Sequence, residues 1–554
     1  MFLIGVSEVL YACRELFVWS FIDTFDFYRQ TTQYALKGFE HLRSIHFMMD
    51  KNERLALRNY LTCFESRKKG HKPKSVILLD LLEKYEDDEK VLLLLKKKVP
   101  SEDARRMVIG RLRDKMLTSL SLDVNLSRSE NYDEQAQARA NVVQGKLQGG
   151  LLLGRGQRKL GYYVLDRSIQ QAKHYEFYDD LIDMLSIERQ FVKAFKGTDK
   201  AFYDVVNQIK TYSECRDAAN LAKQYFEETT MRYGFKGLSR IAADPKQVTF
   251  LKERIDRLHD EFEKTSSATV GYYYYFLLVE FYQVQNKLEE ASDSLSKLAQ
   301  MLENNPAIRR KVRLASVHLN LGANDLWLHR FEESRKQFEV SLTYIRENTR
   351  NHGVITELLF YSLFYAGNLD EAETKFESLV DSKHVDQSDF RKAVRSYLLA
   401  CVSFAKGEFR KVNLRLASSQ NIEKDKEGWN IGSRVLSIML AIEREKFDLA
   451  DTLIVNLRQF IREGVEDADL RFRDTLILSV LLELRKKSYD FSEVASLKRE
   501  VLSQLYKDDV ETGWILQTPE MICFHIWFND KLHERPYTVD YSKAYLYRLD
   551  ETAQ

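Results

Sequence analysis

A short turn string returns at near-regular intervals through the second half of this chain, and it limits the possible folds more than any other feature. It reads Gly-Asn-Leu-Asp-Glu-Ala at 367–372. Related strings stand at 286–291 (Asn-Lys-Leu-Glu-Glu-Ala), 329–334 (His-Arg-Phe-Glu-Glu-Ser), 407–412 (Gly-Glu-Phe-Arg-Lys-Val) and 445–450 (Glu-Lys-Phe-Asp-Leu-Ala). The apolar third residue falls at Leu288, Phe331, Leu369, Phe409 and Phe447, spaced 43, 38, 40 and 38 residues apart. A period of about 40 predicts stacked supersecondary units, each too small to bury its own apolar face.

The string also predicts how each unit is built. An apolar-rich helix runs into the turn and a second helix leaves it. Gly367 or Gly407 ends the first helix by taking positive φ. The acidic pair Asp370 and Glu371 suits the start of the second helix. Leu369, Ala372 and Phe376 share one face of that helix. The same face is Leu288/Ala291/Leu295, Phe331/Ser334/Phe338, Phe409/Val412/Leu416 and Phe447/Ala450/Ile454. The small second member (Ala291, Ser334, Ala372, Ala450) lies where two antiparallel helices touch, and a large side chain would force them apart. A sixth unit is fainter: Phe491 and Val494 fit, and Lys498 breaks the face. Polar breakers separate the units at 304–306, 351–353, 381–389, 425–428 and 464–469.

The expected fold class is therefore all-α: an α-α superhelix of antiparallel helix pairs with a small helical N-terminal domain. The chain divides into an apolar helical segment (1–48), a small basic helical domain (49–125), lead-in hairpins (140–245), the repeat array (246–510) and a capping tail (511–554) that packs back on the last repeat. A chain of 554 residues with only 6 Pro and 22 Gly is consistent with several mostly helical bodies. Residues 1–28 are apolar but broken by Glu8, Arg14, Glu15, Asp23 and Asp26, which argues against a membrane span. They read as a helix packed on the body of the protein or lying on a membrane surface, unless translation starts at Met48 or Met49, ahead of a helix capped by Asp50.

Two segments invite a sharper functional reading. Residues 51–115 hold 18 Lys/Arg against 11 Asp/Glu, in a chain of net charge +1. A basic surface on short helices fits either a solvated domain or a nucleic-acid-binding head. Its first helix has Leu55, Leu57, Tyr60, Leu61 and Phe64 as the apolar side. The glycine-dense stretch Gly145, Gly149, Gly150, Gly154, Gly156, Gly161 is not GxGxxG and has no following Gly-Lys-Ser/Thr. Its spacing of four predicts close helix packing or a joint rather than a phosphate loop.

No catalytic constellation is present. The five cysteines (Cys13, Cys63, Cys215, Cys401, Cys523) are dispersed, the histidines are scattered, and no metal or cofactor motif occurs, so the expectation is a noncatalytic cytoplasmic protein without cofactors. The run Tyr272, Tyr273, Tyr274, Tyr275, Phe276 must point all round a helix, some rings to neighbours and some to an inner groove.

The string at 367–372 resembles the turn of the tetratricopeptide repeat family. Leu321 and Gly322 match that family's Leu-Gly pair, and Phe338 its later aromatic. The likeness is closest from 277 to 454 and looser from 162 to 505. The spacing here is longer than the family's, and most units lack the Leu-Gly pair and the closing Pro, so the repeats are degenerate. The chain also resembles bacterial helical proteins with a small basic head and a degenerate repeat body, which implies no activity. The family resemblance implies a solenoid with a concave groove lined by the first helix of each unit. It also implies a scaffold or adaptor role in which that groove binds a peptide or partner protein. Candidate contacts by position are Tyr275, Tyr282, Asn320, Asn324, Phe360 and Phe364. The alternative is a regulator with a nucleic-acid-binding head and a peptide-sensing body.

Overall fold

The computed structural model describes residues 39–541 apart from 50, 66–71, 123–132, 234–244, 348, 381, 383–384, 386–387, 418–427, 465–471 and 508–511. The expected apolar segment before residue 39, the Asp50 cap, most of the basic loop near 67–71 and the end of the tail lie outside the described residues. The side chain of Phe64 does too. Among the described residues there are 24 helices and no strand, and no helix is long and apolar enough to cross a membrane. The described chain forms two compact units, divided between Gln171 and Ala172.

In the first unit, α1 (Phe39–Met48), α2 (Lys51–Glu65), α3 (Lys74–Lys84) and α4 (Asp88–Lys98) all pack on α5 (Glu102–Leu122). Leu57, Leu61, Leu78, Leu95 and Leu112 are fully buried between them. Leu55, expected on the apolar side of α2, points outward instead, because its neighbours at 57 and 61 take the core face. Arg43 reaches inward and donates to Leu82 O, Tyr85 O and the Asp88 carboxylate. Beside it, burial pushes the His46 imidazole down to about 4, helped by the Arg54 and Arg43 charges.

That shift fixes a pH dependence. The folded state holds His46 neutral, whereas the unfolded chain takes up its proton near 6.5. Stability from this group is fully present above that value and falls as pH drops toward about 4, by up to about 1.4 kcal/mol per pH unit for a whole proton. His352, in the second unit, is lowered by burial and acts with the same sign. The urea midpoint should therefore fall from pH 6.5 to 4.5, and His46→Leu should make that slope shallower without abolishing it.

The glycine-dense stretch is helical on either side of a turn at Gly156. It forms the second half of α6 (Glu134–Gly154), whose Gly145 and Gly149 are buried against α7 (Arg158–His174). A Cβ on Gly145 would lie 2.0 Å from Ser168 Oγ, and one on Gly161 would lie 2.8 Å from Leu153 Cγ. These glycines let two backbones approach. Gly150 and Gly154 face open space and have no such role.

The second unit continues through α8 (Tyr178–Lys196), α9 (Asp199–Tyr233) and α10 (Pro245–Thr265) into the array. Its helix pairs are α11 (Ala268–Val284) with α12 (Leu288–Asn304), α13 (Lys311–Trp327) with α14 (Phe331–Thr343), and α15 (Arg350–Tyr365) with α16 (Leu369–Val380). Two more follow: α17 (Asp389–Ala405) with α18 (Phe409–Ala417), and α19 (Trp429–Glu443) with α20 (Phe447–Gly464). Each helix packs on its pair-mate and on the next pair, giving a tetratricopeptide-like superhelix. The expected break at 351–353 is the first turn of α15, because Thr349 caps the helix just before it.

The recurring string closes every pair in the same way. Lys287 N, Arg330 N, Asn368 N, Glu408 N and Lys446 N each donate to the carbonyl five residues back, at 2.8–2.9 Å. The preceding residue has positive φ: Asn286 58°, His329 60°, Gly367 81°, Gly407 72° and Glu445 55°. This is the Schellman ending, which satisfies the last carbonyls of the first helix. Ala291, Ser334, Ala372, Val412 and Ala450 are fully buried at the crossings. Ser334 Oγ also donates 2.7 Å to Gly322 O, and Gly322 leaves room for Phe338, whose ring would lie 2.7 Å from an added Cβ.

Only some of these left-handed positions are glycine, which sets up opposite expectations. Glu445 is exposed and strained by its side chain, so Glu445→Gly should stabilise by about 0.5–1 kcal/mol. Gly367→Ala should destabilise by about 1–2 kcal/mol. Both are read as shifts in urea midpoint.

The faint sixth unit pairs α21 (Phe472–Lys486) with a broken second helix, α22 (Phe491–Leu497) and α23 (Arg499–Leu505), interrupted at Lys498. Ser488 and Tyr489 both take left-handed φ, Tyr489 N donating to Leu484 O, and Val494 is the buried residue. The tail departs from expectation. It does not pack on the last repeat alone. It runs over the first helices of four successive pairs, as far back as α15.

Candidate functional site

The described part of the tail, 512–541, consists of a non-helical stretch from 512 to 523, the short α24 (Phe524–Leu532) and a returning stretch through Tyr541. Trp514 sets its ring edge against Tyr365 of α15 and near His329 in the α13–α14 turn. Gln517 N donates to Tyr365 Oη at 2.9 Å. Pro519 O accepts from Tyr397 of α17, and it lies so close to α19 that a Cβ on Gly432 would meet it at 2.4 Å. Glu520 reaches Arg473 of α21. The chain then returns past the C-terminal ends of α19, α17 and α15. Trp527 Nε1 donates to Glu443 at 2.7 Å, Tyr537 packs on Phe404, and Tyr541 stacks on Trp514 with ring centres 4.7 Å apart. The side lined by first helices thus holds a linear segment of this chain. Trp514, Trp527 and Tyr541 are essentially fully buried.

Arg473 is the polar centre of the site. All five of its donors are used. Nε and Nη2 take the two oxygens of Glu520 at 2.6 and 2.8 Å. Nη1 takes Leu505 O and Thr512 O at 2.8 and 2.6 Å, and Nη2 also reaches His525 Nδ1 at 2.8 Å. His525 Nδ1 therefore accepts, which places the neutral ring's proton on Nε2. Glu520 also accepts from Phe524 N at the start of α24.

Glu520, Cys523 and His525 bring one ligand atom each within 4.8 Å of one another, a grouping that sequence reading missed. All three lie within six residues, as Glu-x-x-Cys-x-His at 520–525, and the turn into α24 brings them together. The chemistry fits a guanidinium better than a metal ion. The cationic position is taken by Arg473, whose guanidinium holds both Glu520 oxygens and His525 Nδ1.

The six position-based candidates fall into different environments. Phe360 is fully buried and stacks on Phe376 of its own pair-mate, with ring centres 4.1 Å apart, so it faces α16 and not the groove. Phe364 is fully buried beside Tyr541. Asn320 is buried and donates to Ser316 O at 2.8 Å. Asn324 is buried between repeats, accepting from Gln283 at 2.9 Å and donating to Ser292 at 3.2 Å. Phe360, Asn320 and Asn324 are internal supports rather than open contacts, whereas Phe364 meets the tail. Tyr275 and Tyr282 are half-buried, and Tyr282 borders an open cavity of about 280 Å³ between α10 and α11, with Tyr274, Phe281 and His259. Of the remaining ring run, Tyr272 is buried under Arg313 and Tyr273 packs on Phe226, so those rings are structural.

The residues that hold the tail are Tyr365, Tyr397, Gly432 and Arg473. Two carried a sequence signal. Gly432 is an isolated glycine inside a helical pattern, which asks for a packing reason. Arg473 is a cation in the first turn of a helix, where the dipole disfavours it.

In the first unit, the basic surplus is partly used internally. Arg58 pairs with Asp80 and Glu83, Lys72 with Asp80, and Arg106 with Glu102. Lys96, Lys97 and Lys98 close the C-terminal turn of α4, where they suit the helix dipole. This arrangement lends no support to a nucleic-acid partner.

No family model and no curated protein matches the chain. Among solved structures it is similar to the crystal structure of a signal transduction ATPase with numerous domains, a protein with a tetratricopeptide repeat sensor from Pyrococcus horikoshii. The identity is 12% and the TM-score 0.29, over 85% of this chain and 65% of that one. The chain thus spans about 65% of that protein's length. The repeat architecture rests on the helix pairs and their turns, not on this likeness.

Proposed function

We propose that this chain is a noncatalytic scaffold or adaptor whose repeat array binds a linear segment of a partner protein along the side lined by its first helices. One observation supports the reading: that side holds a linear segment in cis. Beside the buried tail rings, its polar contacts include two to backbone, Tyr365 on Gln517 N and Tyr397 on Pro519 O, and one charged contact at Arg473. Hydroxyls aimed at main-chain atoms tolerate varied side chains, which suits peptide recognition.

The test uses the full chain with its own tail weakened by Trp514→Ala and Glu520→Gln. Proteins that co-purify with it are identified, purified and titrated directly. A saturable complex that is lost on adding Gly432→Leu supports the proposal. Partners that are indifferent to Gly432→Leu, or that bind only through residues 39–122, would defeat it.

A further inference from the structure

We infer that residues 514–525 are an internal stand-in for the partner, so that the array takes segments with an aromatic anchor followed six residues later by a carboxylate, and the chain's own tail competes with them. This rests on the scaffold reading and adds the chemistry of the partner.

The carboxylate requirement comes from Arg473. Of its five hydrogen bonds, four go to the tail: two to Glu520, one to Thr512 O and one to His525. The fifth goes to Leu505 O. When the tail leaves, a guanidinium placed for bidentate contact is uncovered, and an incoming anion of matching geometry is strongly favoured over a neutral group. The aromatic requirement comes from the Trp514 seat, walled by Tyr365 and His329.

Exchange is argued from how the tail lies. Gln517 is held at φ 58° although it is not glycine. Its side-chain amide is buried, and neither its nitrogen nor its oxygen has a hydrogen-bond partner among the described residues. Strain and an unmatched polar group together weaken the contact at the middle of the segment, between the Trp514 and Glu520 anchors. Gln517 N and Pro519 O are held by tyrosine hydroxyls, but a segment that keeps these contacts and the two anchors without the defect at Gln517 can replace this one.

The probe is a fluorescein-labelled synthetic peptide of residues 512–525, titrated into full-length protein and followed by anisotropy. Full-length protein carrying Trp514→Ala and Glu520→Gln should bind it at least about ten-fold more tightly than wild type. Glu520→Gln in the peptide, or Gly432→Leu in the protein, should reduce that binding at least about ten-fold. Equal binding by wild type and the weakened chain overturns the inference, as does no binding by a weakened chain whose circular dichroism is intact.

Hydrogen exchange on wild type gives a second measurement that needs no variant. Amides of 514–523 should exchange at least about ten-fold faster than those in the middle of α15 and α17. Equal rates, set by unfolding of the whole unit, overturn the inference. A partner that binds the opened chain but is not displaced by the peptide also sinks this inference, and leaves the broader function standing. Peptide binding with no partner sensitive to Gly432→Leu does the reverse.

Discussion

Arg473→Leu is expected to lower the stability of the repeat unit by about 3–5 kcal/mol, near the upper end of what one substitution costs a protein. Both charges are almost wholly buried, Arg473 at 2% and Glu520 at 6% exposure. Removing the guanidinium strands a carboxylate in a site with little water to solvate it. It also leaves Thr512 O and Leu505 O without their donor. The pair itself contributes far less than this, because bringing both ions out of water costs nearly what their attraction returns. Arg473→Leu combined with Glu520→Leu should therefore recover most of the loss. Urea unfolding of the two single variants and the double variant measures the difference. Single variants that each cost under about 1 kcal/mol would mean that the pair is solvated.

Glu176→Ala should cost about 3 kcal/mol by the same measurement, at a place that no turn string marks. Glu176 sits in the Schellman turn that closes α7, at φ 53°, where glycine would relax the backbone. Its carboxylate crosses to the start of α11. There it accepts from Ala268 N at 2.7 Å, Thr269 N at 3.0 Å, Ser267 Oγ at 3.0 Å and Thr269 Oγ1 at 2.8 Å. A negative charge at a helix N-terminus that also satisfies two free amides combines two favourable effects. Glu176→Gly should therefore destabilise by about 2 kcal/mol, although the same change at Glu445 is expected to stabilise. The sign reversal separates a left-handed residue kept for its side chain from one that is merely tolerated. Glu176→Gln should fall between wild type and alanine. Faster exchange of the amides at 268 and 269 in Glu176→Ala would place the loss at this helix start.

These two residues also mark what sequence could and could not reveal. The turn strings were legible because everything they do is local: a left-handed residue, an acidic first turn and a small crossing residue lie within six positions. Ala291, Ala372 and Ala450 occupy the expected crossings for that reason. The groove candidates were less legible. Period shows which face of a helix meets its neighbour, but it does not show what covers the face left over. Phe360 and Phe364 belong to a first helix, as expected, yet one faces its pair-mate and the other lies under Tyr541, while Tyr365 one position on takes the tail. Arg473 and Glu520 are 47 residues apart, and Glu176 and Ala268 are 92 apart. No local pattern links such pairs. The apolar content of the tail predicted that it would pack, but not that it would run across four helix pairs.

The course of the tail sets an order of events during synthesis. Tyr365 meets Met521 across a separation of 156 residues, and Trp514 meets Tyr541 only when the returning stretch exists. Helix pairs joined by tight turns can form one after another as they emerge, since their contacts are near in sequence. The apolar side of α15, α17 and α19 stays uncovered until the last stretch has been made. For that interval the nascent chain presents an open, aromatic-lined face to its surroundings, and ribosome-bound chains stopped before residue 512 should engage holdase chaperones more strongly than chains carried through 541.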